Sequence, residues 1–328
     1  MKPSVDDIFD INSKAAFDEL CLSVFLYQAK ECKLYAQFLA GLSVLPKTIK
    51  KIEEIPFLPI EFFKTQEIAT QEIDRNALIF TSSGTTGMAQ SKHFVSDVSI
   101  YEKSYLKGFE FFYETIQDYC ILALLPSYLE RNGSSLIYMV EDLIKKSNHP
   151  DSGFYLNNYD ELISKLKVLD ARGQKILLIG VTYALLDLIE KQKLNFKNTI
   201  IMETGGMKGK RKEMVREELH SILSSGFGVN EIHSEYGMTE LLSQAYSKGK
   251  GIFNCPPWMK ILIRDTNDPF SFLPINKTGG INVIDLANIN SCSFIATQDL
   301  GKLHSDNSFE VLGRFDNSDI RGCNLLME

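Results

Sequence analysis

The feature that most constrains this chain is an alternation. Between residues 77 and 224, short apolar runs of strand type take turns with stretches of helical period. Strands are expected at 77–81, 120–125, 175–180 and 199–203. Helices are expected from a cap at Ser96 or Asp97 to about 113, and at 134–146, 159–169, 184–193 and 210–224. A strand that reaches a parallel neighbour needs a crossover, usually helical, so this rhythm specifies an α/β fold with mostly parallel strands flanked by helices. The last hundred residues lose the rhythm. Runs such as 260–264 and 280–286 are separated by Gly, Pro and Asn, and a smaller β-rich subdomain is expected there. At the other end, residues 15–42 put Leu20, Val24, Tyr27, Leu34, Phe38 and Leu42 on one helical face, as in an amphipathic helix or helix pair packed on a core. Pro56 and Pro59 make residues 54–64 an extended crossing segment.

Charge and cysteine usage narrow the classes of function. The 328 residues carry a formal charge of −7, which disfavours a surface built for nucleic acid or anionic lipid. Six cysteines contain no C-x-x-C pair, against a zinc knuckle or a disulfide framework. The first residues, MKPSVDDIFDINSK, are acidic where a signal peptide is basic, and no apolar run is long enough to insert in a membrane. A cytoplasmic protein with reduced thiols is the expectation.

Three clusters could carry chemistry. The first is Thr81-Ser82-Ser83-Gly84-Thr85-Thr86-Gly87, which follows a strand directly. Such a loop can turn sharply and surround a polyphosphate with hydroxyls and backbone N–H groups, although composition alone favours a solvated turn. It is not a Walker A loop, and Gly205-Gly206-Met-Lys-Gly-Lys210-Arg211 also fails that pattern, with arginine where Ser or Thr would hold Mg²⁺. The second is Tyr236-Gly-Met-Thr239-Glu240: a ring to stack on a purine, a hydroxyl for phosphate, a carboxylate for Mg²⁺. The third is Thr297-Gln-Asp299 followed by Gly313-Arg314-Phe-Asp316, an acid able to take two ribose hydroxyls and an arginine able to support it, or else a turn and a surface ion pair. His93 and His233 are plausible polar residues of a pocket with no catalytic role assigned.

In this order the clusters resemble the adenylate-forming (ANL) superfamily of acyl-CoA synthetases, adenylation domains and luciferase. The resemblance implies ATP and Mg²⁺ as cofactors and the conversion of a carboxylate to an acyl-adenylate. It implies Ser82, Ser83, Gly84, Thr85, Thr86 and Gly87 on the β- and γ-phosphates with Lys92 as a helper. Gly205, Gly206 and Tyr236 would line adenine, Thr239 would touch the α-phosphate, Glu240 would bind the metal, and Asp299 with Arg314 would hold ribose. Only 14 residues follow Arg314, so the C-terminal lid domain that carries a lysine in most of the superfamily is expected to be absent.

One branch resembles the chain along nearly its whole length: the LuxE-type long-chain acyl-protein synthetases. The ending Gly-Arg-Phe-Asp-Asn-Ser-Asp-Ile-Arg-Gly-Cys323, the Phe62-Phe-Lys64 segment and Ser91-Lys-His93 carry this second likeness. It implies an adenylate-forming domain over residues 1–312 and a hinge-like tail, 313–328, whose Cys323 accepts the acyl group as a thioester. The expected function is a ligase of the long-chain-fatty-acid–protein type, passing a fatty acyl group from its own Cys323 to a partner such as an acyl reductase. The rivals are a stand-alone aryl- or acyl-CoA ligase and a non-catalytic nucleotide- or partner-binding module.

Overall fold

The computed structural model describes residues 2–74, 77–82, 89–126, 133–205, 211 and 214–315. They fall into two compact units, one spanning Ile73–Pro256 and the other joining Met1–Glu72 to the chain from Pro257 onward. The β-rich C-terminal part shares its unit with the N-terminal helices.

In the Ile73–Pro256 unit, five parallel strands lie in the order Gly153–Tyr155, Tyr119–Leu124, Lys175–Val181, Thr199–Thr204, His233–Tyr236. Numbered along the chain this is 2-1-3-4-5, a doubly wound order that reverses direction between Tyr119–Leu124 and Lys175–Val181. Every residue of Tyr119–Leu124 is buried, and all of Lys175–Val181 except Lys175. Parallel strands covered on both faces need such continuous apolar runs, which is why they were readable in the sequence. Ala245–Ser247 and Ile252–Asn254 extend the sheet antiparallel.

The helices follow the expected alternation: Val98–Tyr113 capped by Asp97, Ser135–Ser147 capped by Ser134, Tyr159–Ala171, Thr182–Lys191 and Arg216–Phe227. The last begins six residues later than its pattern suggested. Its first turn carries Glu217 and Glu218, a favourable place for acids at a helix N-terminus. Leu78–Thr81 and Lys92–Val95 form a separate two-stranded hairpin.

In the other unit, Met259–Arg264, Thr278–Asp285, Phe294–Leu303 and Phe309–Arg314 form an antiparallel sheet, and Leu58–Pro59 pairs in parallel with Phe294–Leu303. Pro56 and Pro59 thus mark an extended stretch, but it is shorter than the expected 54–64, because Glu54 ends a 3-10 turn and Phe62–Thr65 is helical. Two helices, Lys14–Glu31 and Lys33–Gly41, meet at an extended Cys32. The buried face differs from the expected one. Of the six residues assigned to it only Val24 is buried, and Phe17, Cys21, Phe25, Gln28, Tyr35 and Leu39 make the core contact instead.

Gln28 explains the shift, because a polar residue anchors this helix. Its amide nitrogen donates to the Asn288 and Ile289 carbonyls and to Ser293 Oγ at 2.9–3.1 Å, and its oxygen accepts from Ser293 N–H at 2.9 Å. Beside it Tyr35 stacks on Phe294 and donates to the Pro56 carbonyl at 2.6 Å. Replacing Gln28 by Leu leaves buried backbone groups without partners and should lower unfolding free energy by about 2–4 kcal/mol, read as a lower urea midpoint.

Candidate functional site

The strands of the parallel sheet end at the region that collects the candidate residues. Thr204 and Glu235 are register partners on neighbouring strands, so Gly205 and Tyr236 follow one another's level at the carboxyl ends. In open α/β sheets this is the edge where ligands bind. Thr182, which begins the helix after Lys175–Val181, places its hydroxyl 2.8 Å from the Gly205 carbonyl and 3.2 Å from Glu203 Oε2. The glycine turn is thereby tied to the strand beside the order reversal.

Two glutamates stand behind this edge. Glu203 is buried, and burial pushes its carboxyl up. Hydrogen bonding with His220 and Ser234 and the charge of Arg216, whose Nη1 donates at 2.8 Å, outweigh burial and hold it below the usual carboxylate range. Glu235, partly buried, accepts a short hydrogen bond from Thr204 Oγ1. Removal from water, reinforced by the nearby charge of Glu203, pushes its carboxyl up to about 7 against the pull of Thr204. The Glu235 carboxylate also lies against the next turn: a Cβ at Gly237 would run into its Oε1, so a larger residue there would displace the carboxylate.

The turn that follows carries Thr239, half-buried, and Glu240, buried, and is closed by Leu241 N–H donating to the Met238 carbonyl at 3.1 Å. The Tyr236 ring lies 6.0 Å from that of Phe253, at 64°. From the hairpin, His93 reaches in. It is buried, and its Nδ1 lies 2.9 Å from the Thr239 carbonyl. A carbonyl only accepts, so Nδ1 carries the proton and Nε2 is the acceptor. Burial holds the imidazole neutral, down to about 4, despite the favourable carbonyl contact.

Lys92, exposed, precedes His93 and pairs with Thr81. Ser82 closes the base of the hydroxyl loop, its Oγ accepting from Ser91 N–H at 2.9 Å and its N–H donating to the Ser91 carbonyl. The hairpin is further held by Thr81 N–H donating to the Gly133 carbonyl, just before the helix capped by Ser134.

The sequence clusters therefore converge in part. Ser82 and Lys92 are linked through His93 to Thr239 and Glu240, and Gly205 adjoins Tyr236 across Thr204 and Glu235. In the other unit Asp299 and Arg314 are register partners, with Arg314 Nε 3.3 Å from Asp299 Oδ1. Ser83, Gly84, Thr85, Thr86, Gly87, Gly206 and Cys323 lie outside the described residues. Sequence reasoning passed over Glu203, Glu235, Thr204, Thr182 and Arg216, and assigned His93 no part. The one available signal was the acid Glu203 that ends the expected strand 199–203.

His93 makes stability depend on pH. Its proton affinity is lower folded than unfolded, so the unfolded chain binds the extra proton as pH falls from about 6.5 to about 4. Stability is lost over that window by about 3 kcal/mol on account of this group, with no further loss from it below. His93→Asn should flatten that part of the profile. Urea midpoints at pH 7, 5.5 and 4.5 that decline as steeply in the variant as in the wild type would contradict it.

Known proteins share both the sequence and the fold. The family model described as acyl-protein synthetase, LuxE, matches residues 8–328. The long-chain-fatty-acid–luciferin-component ligase of Vibrio harveyi is 22% identical over 319 residues, covering 89% of this chain and 82% of that protein. In fold, the chain is similar to 2-hydroxyisobutyryl-CoA ligase in an open conformation in complex with 2-HIB-AMP and CoA, with a TM-score of 0.68 and 10% identity over 97% of this chain and 75% of that one. ATP-bound MatB from Rhodopseudomonas palustris gives a TM-score of 0.52 and 20% identity over 74% of this chain, which spans 49% of MatB. These neighbours are adenylate-forming enzymes of the ANL superfamily, and the mixed α/β architecture is that of their large N-terminal domain. With a family match over nearly its whole length, the chain belongs to the LuxE family of acyl-protein synthetases.

Proposed function

We propose that this chain activates a carboxylic acid, a fatty acid by its kinship with the Vibrio harveyi ligase, and transfers the acyl group to its own Cys323. The observation that carries the reading is the junction of the Ser82 hairpin with the Tyr236–Glu240 turn through His93 and Thr239, at the carboxyl edge of a parallel sheet. In the first step a carboxylate oxygen attacks the α-phosphorus of ATP, pyrophosphate leaves, and a mixed anhydride with AMP forms. In the second, the Cys323 thiolate attacks the acyl carbonyl, AMP leaves with the electron pair of the broken C–O bond, and a thioester remains. A partner such as an acyl reductase then takes the acyl group.

The chain's own residues divide this work. Ser82 keeps its hydroxyl proton for a phosphate oxygen, since its Oγ already accepts from Ser91. Residues 83–87 supply further hydroxyl and N–H donors, and exposed Lys92 supplies positive charge for the departing phosphates. Tyr236 with Gly205 and Gly206 lines adenine, Thr239 holds the α-phosphate, and Asp299 with Arg314 takes ribose. Glu240 fits Mg²⁺: this metal is commonly held by one or two carboxylates plus substrate phosphates, and among the described residues no three-ligand cluster offers a competing cage. Bound there, Mg²⁺ would neutralise phosphate charge as pyrophosphate leaves.

The test separates activation from transfer. With ATP, Mg²⁺ and a labelled fatty acid, the chain should exchange pyrophosphate and gain a label that hydroxylamine removes. Cys323→Ser should lose the label and keep exchange within about twofold, because different residues act. Glu240→Gln should lower exchange by about a hundredfold and raise the Mg²⁺ concentration required. Label retained in Cys323→Ser, or efficient transfer to free coenzyme A without protein label, favours a CoA ligase. Absence of exchange with any acid leaves a binding module.

A further inference from the structure

The strand bearing Asp299 is irregular where it matters. Against Thr278–Asp285, Ala296 pairs with Asn282 and Leu300 pairs with Gly280, so Thr297, Gln298 and Asp299 face the single residue Ile281. A bulge of this kind leaves backbone groups without ladder partners and re-aims side chains, and it persists only where something else holds it.

Arg264 holds it. The arginine ends the strand Met259–Arg264, and its Nη1 donates to the Ile281 carbonyl and to Asn282 Oδ1, both at 2.8 Å, while Nη2 donates to the Thr297 carbonyl. Thr297 Oγ1 donates to the same Ile281 carbonyl at 2.8 Å and accepts from Asp299 N–H at 3.1 Å. The guanidinium lies over the Phe315 ring, 5.5 Å from its centroid, and Phe315 N–H donates to the Gln298 carbonyl at 2.7 Å. The space is kept for it, since a Cβ at Gly280 would lie 2.5 Å from Cζ. One side chain thus grips Thr297, two residues before Asp299, and Phe315, the residue after Arg314. Only a planar fork meets acceptors on two strands and stacks on a ring at once; lysine offers a point charge.

We propose that Arg264 is a positioning residue for the nucleotide: by pinning the Thr297–Asp299 bulge and the end of the last strand, it holds Asp299 and Arg314 in the arrangement that takes the ribose hydroxyls. This rests on the ribose reading of Asp299 given above. Arg264 touches no reacting atom, and its removal disturbs recognition of the sugar before it disturbs the chemistry.

The experiment is pyrophosphate exchange by the full chain with a fatty acid and either ATP, 2′-deoxy-ATP or 3′-deoxy-ATP. The wild type should prefer ATP, and Asp299→Asn should lose the preference. Arg264→Lys should lose about tenfold of it and raise KM for ATP by a similar factor, with kcat nearly unchanged and the melting temperature lowered by about a few degrees. Gly280→Ala keeps the arginine but displaces its guanidinium, and should move the preference the same way by less. It decides the matter alone if Arg264→Lys does not fold.

Folded variants with undiminished preference, while Asp299→Asn has lost it, overturn the role of Arg264. So does a uniform loss of kcat with the nucleotide ratio intact, which marks a merely structural residue. A wild type indifferent to the deoxynucleotides, or an Asp299→Asn that still discriminates, overturns the ribose reading itself and the inference with it.

Discussion

Two carboxylates on neighbouring strand ends, Glu203 and Glu235, set the terms for the candidate site. Like charges this close in a weakly polar interior cannot ionise with equal ease. The conflict is resolved asymmetrically. Glu203 receives Arg216 and the His220 and Ser234 contacts, whereas Glu235 has only the Thr204 hydroxyl against its removal from water, which, with a smaller push from Glu203, takes it up to about 7. Apolar side chains of similar volume would give a sturdier sheet edge. The polar arrangement does something they could not: Thr182 reaches from Glu203 to the Gly205 turn, and Glu235 lies where a side chain at Gly237 would go, at the start of the turn that carries Thr239 and Glu240.

The two units use different devices for the same end, which is to place a polar residue against the grain of regular structure. In Ile73–Pro256 the strands are regular, and the site is made where they stop. A hairpin is brought there by a neutral histidine whose tautomer is dictated by a carbonyl. In the unit of Asp299 the strand itself is deformed, and a guanidinium substitutes for the missing ladder. The Asp299–Arg314 ion pair contributes little by its energy, because the Arg314 side chain is 75% exposed and screened by water. Its significance is directional.

Much of the parallel architecture was legible because its signals are local. Tyr119–Leu124 and Lys175–Val181 are continuous apolar runs, and Asp97 and Ser134 cap the helices where a capping residue precedes a periodic stretch. The strand His233–Tyr236 was not legible, since His-Ser-Glu-Tyr has no apolar alternation and becomes a strand through its pairing with Met202–Thr204 and Ala245–Ser247. The face of Lys14–Glu31 was misjudged for a similar reason. Gln28 is polar, and its burial depends on carbonyls some 260 residues away, a partner that no helical period reveals.

By itself the sequence determined the class of fold and the three clusters that led to the acyl-protein synthetase family, because strand rhythm, capping and short motifs are written in adjacent residues. The tertiary structure alone decided which of the candidate residues meet. The bond from His93 to Thr239 spans 146 positions, the one from Thr182 to Gly205 spans 23, and the grip of Arg264 on Thr297 spans 33. Contacts of that kind arise from closing loops around a packed core, and their partners are chosen by geometry that exists only once the chain has folded.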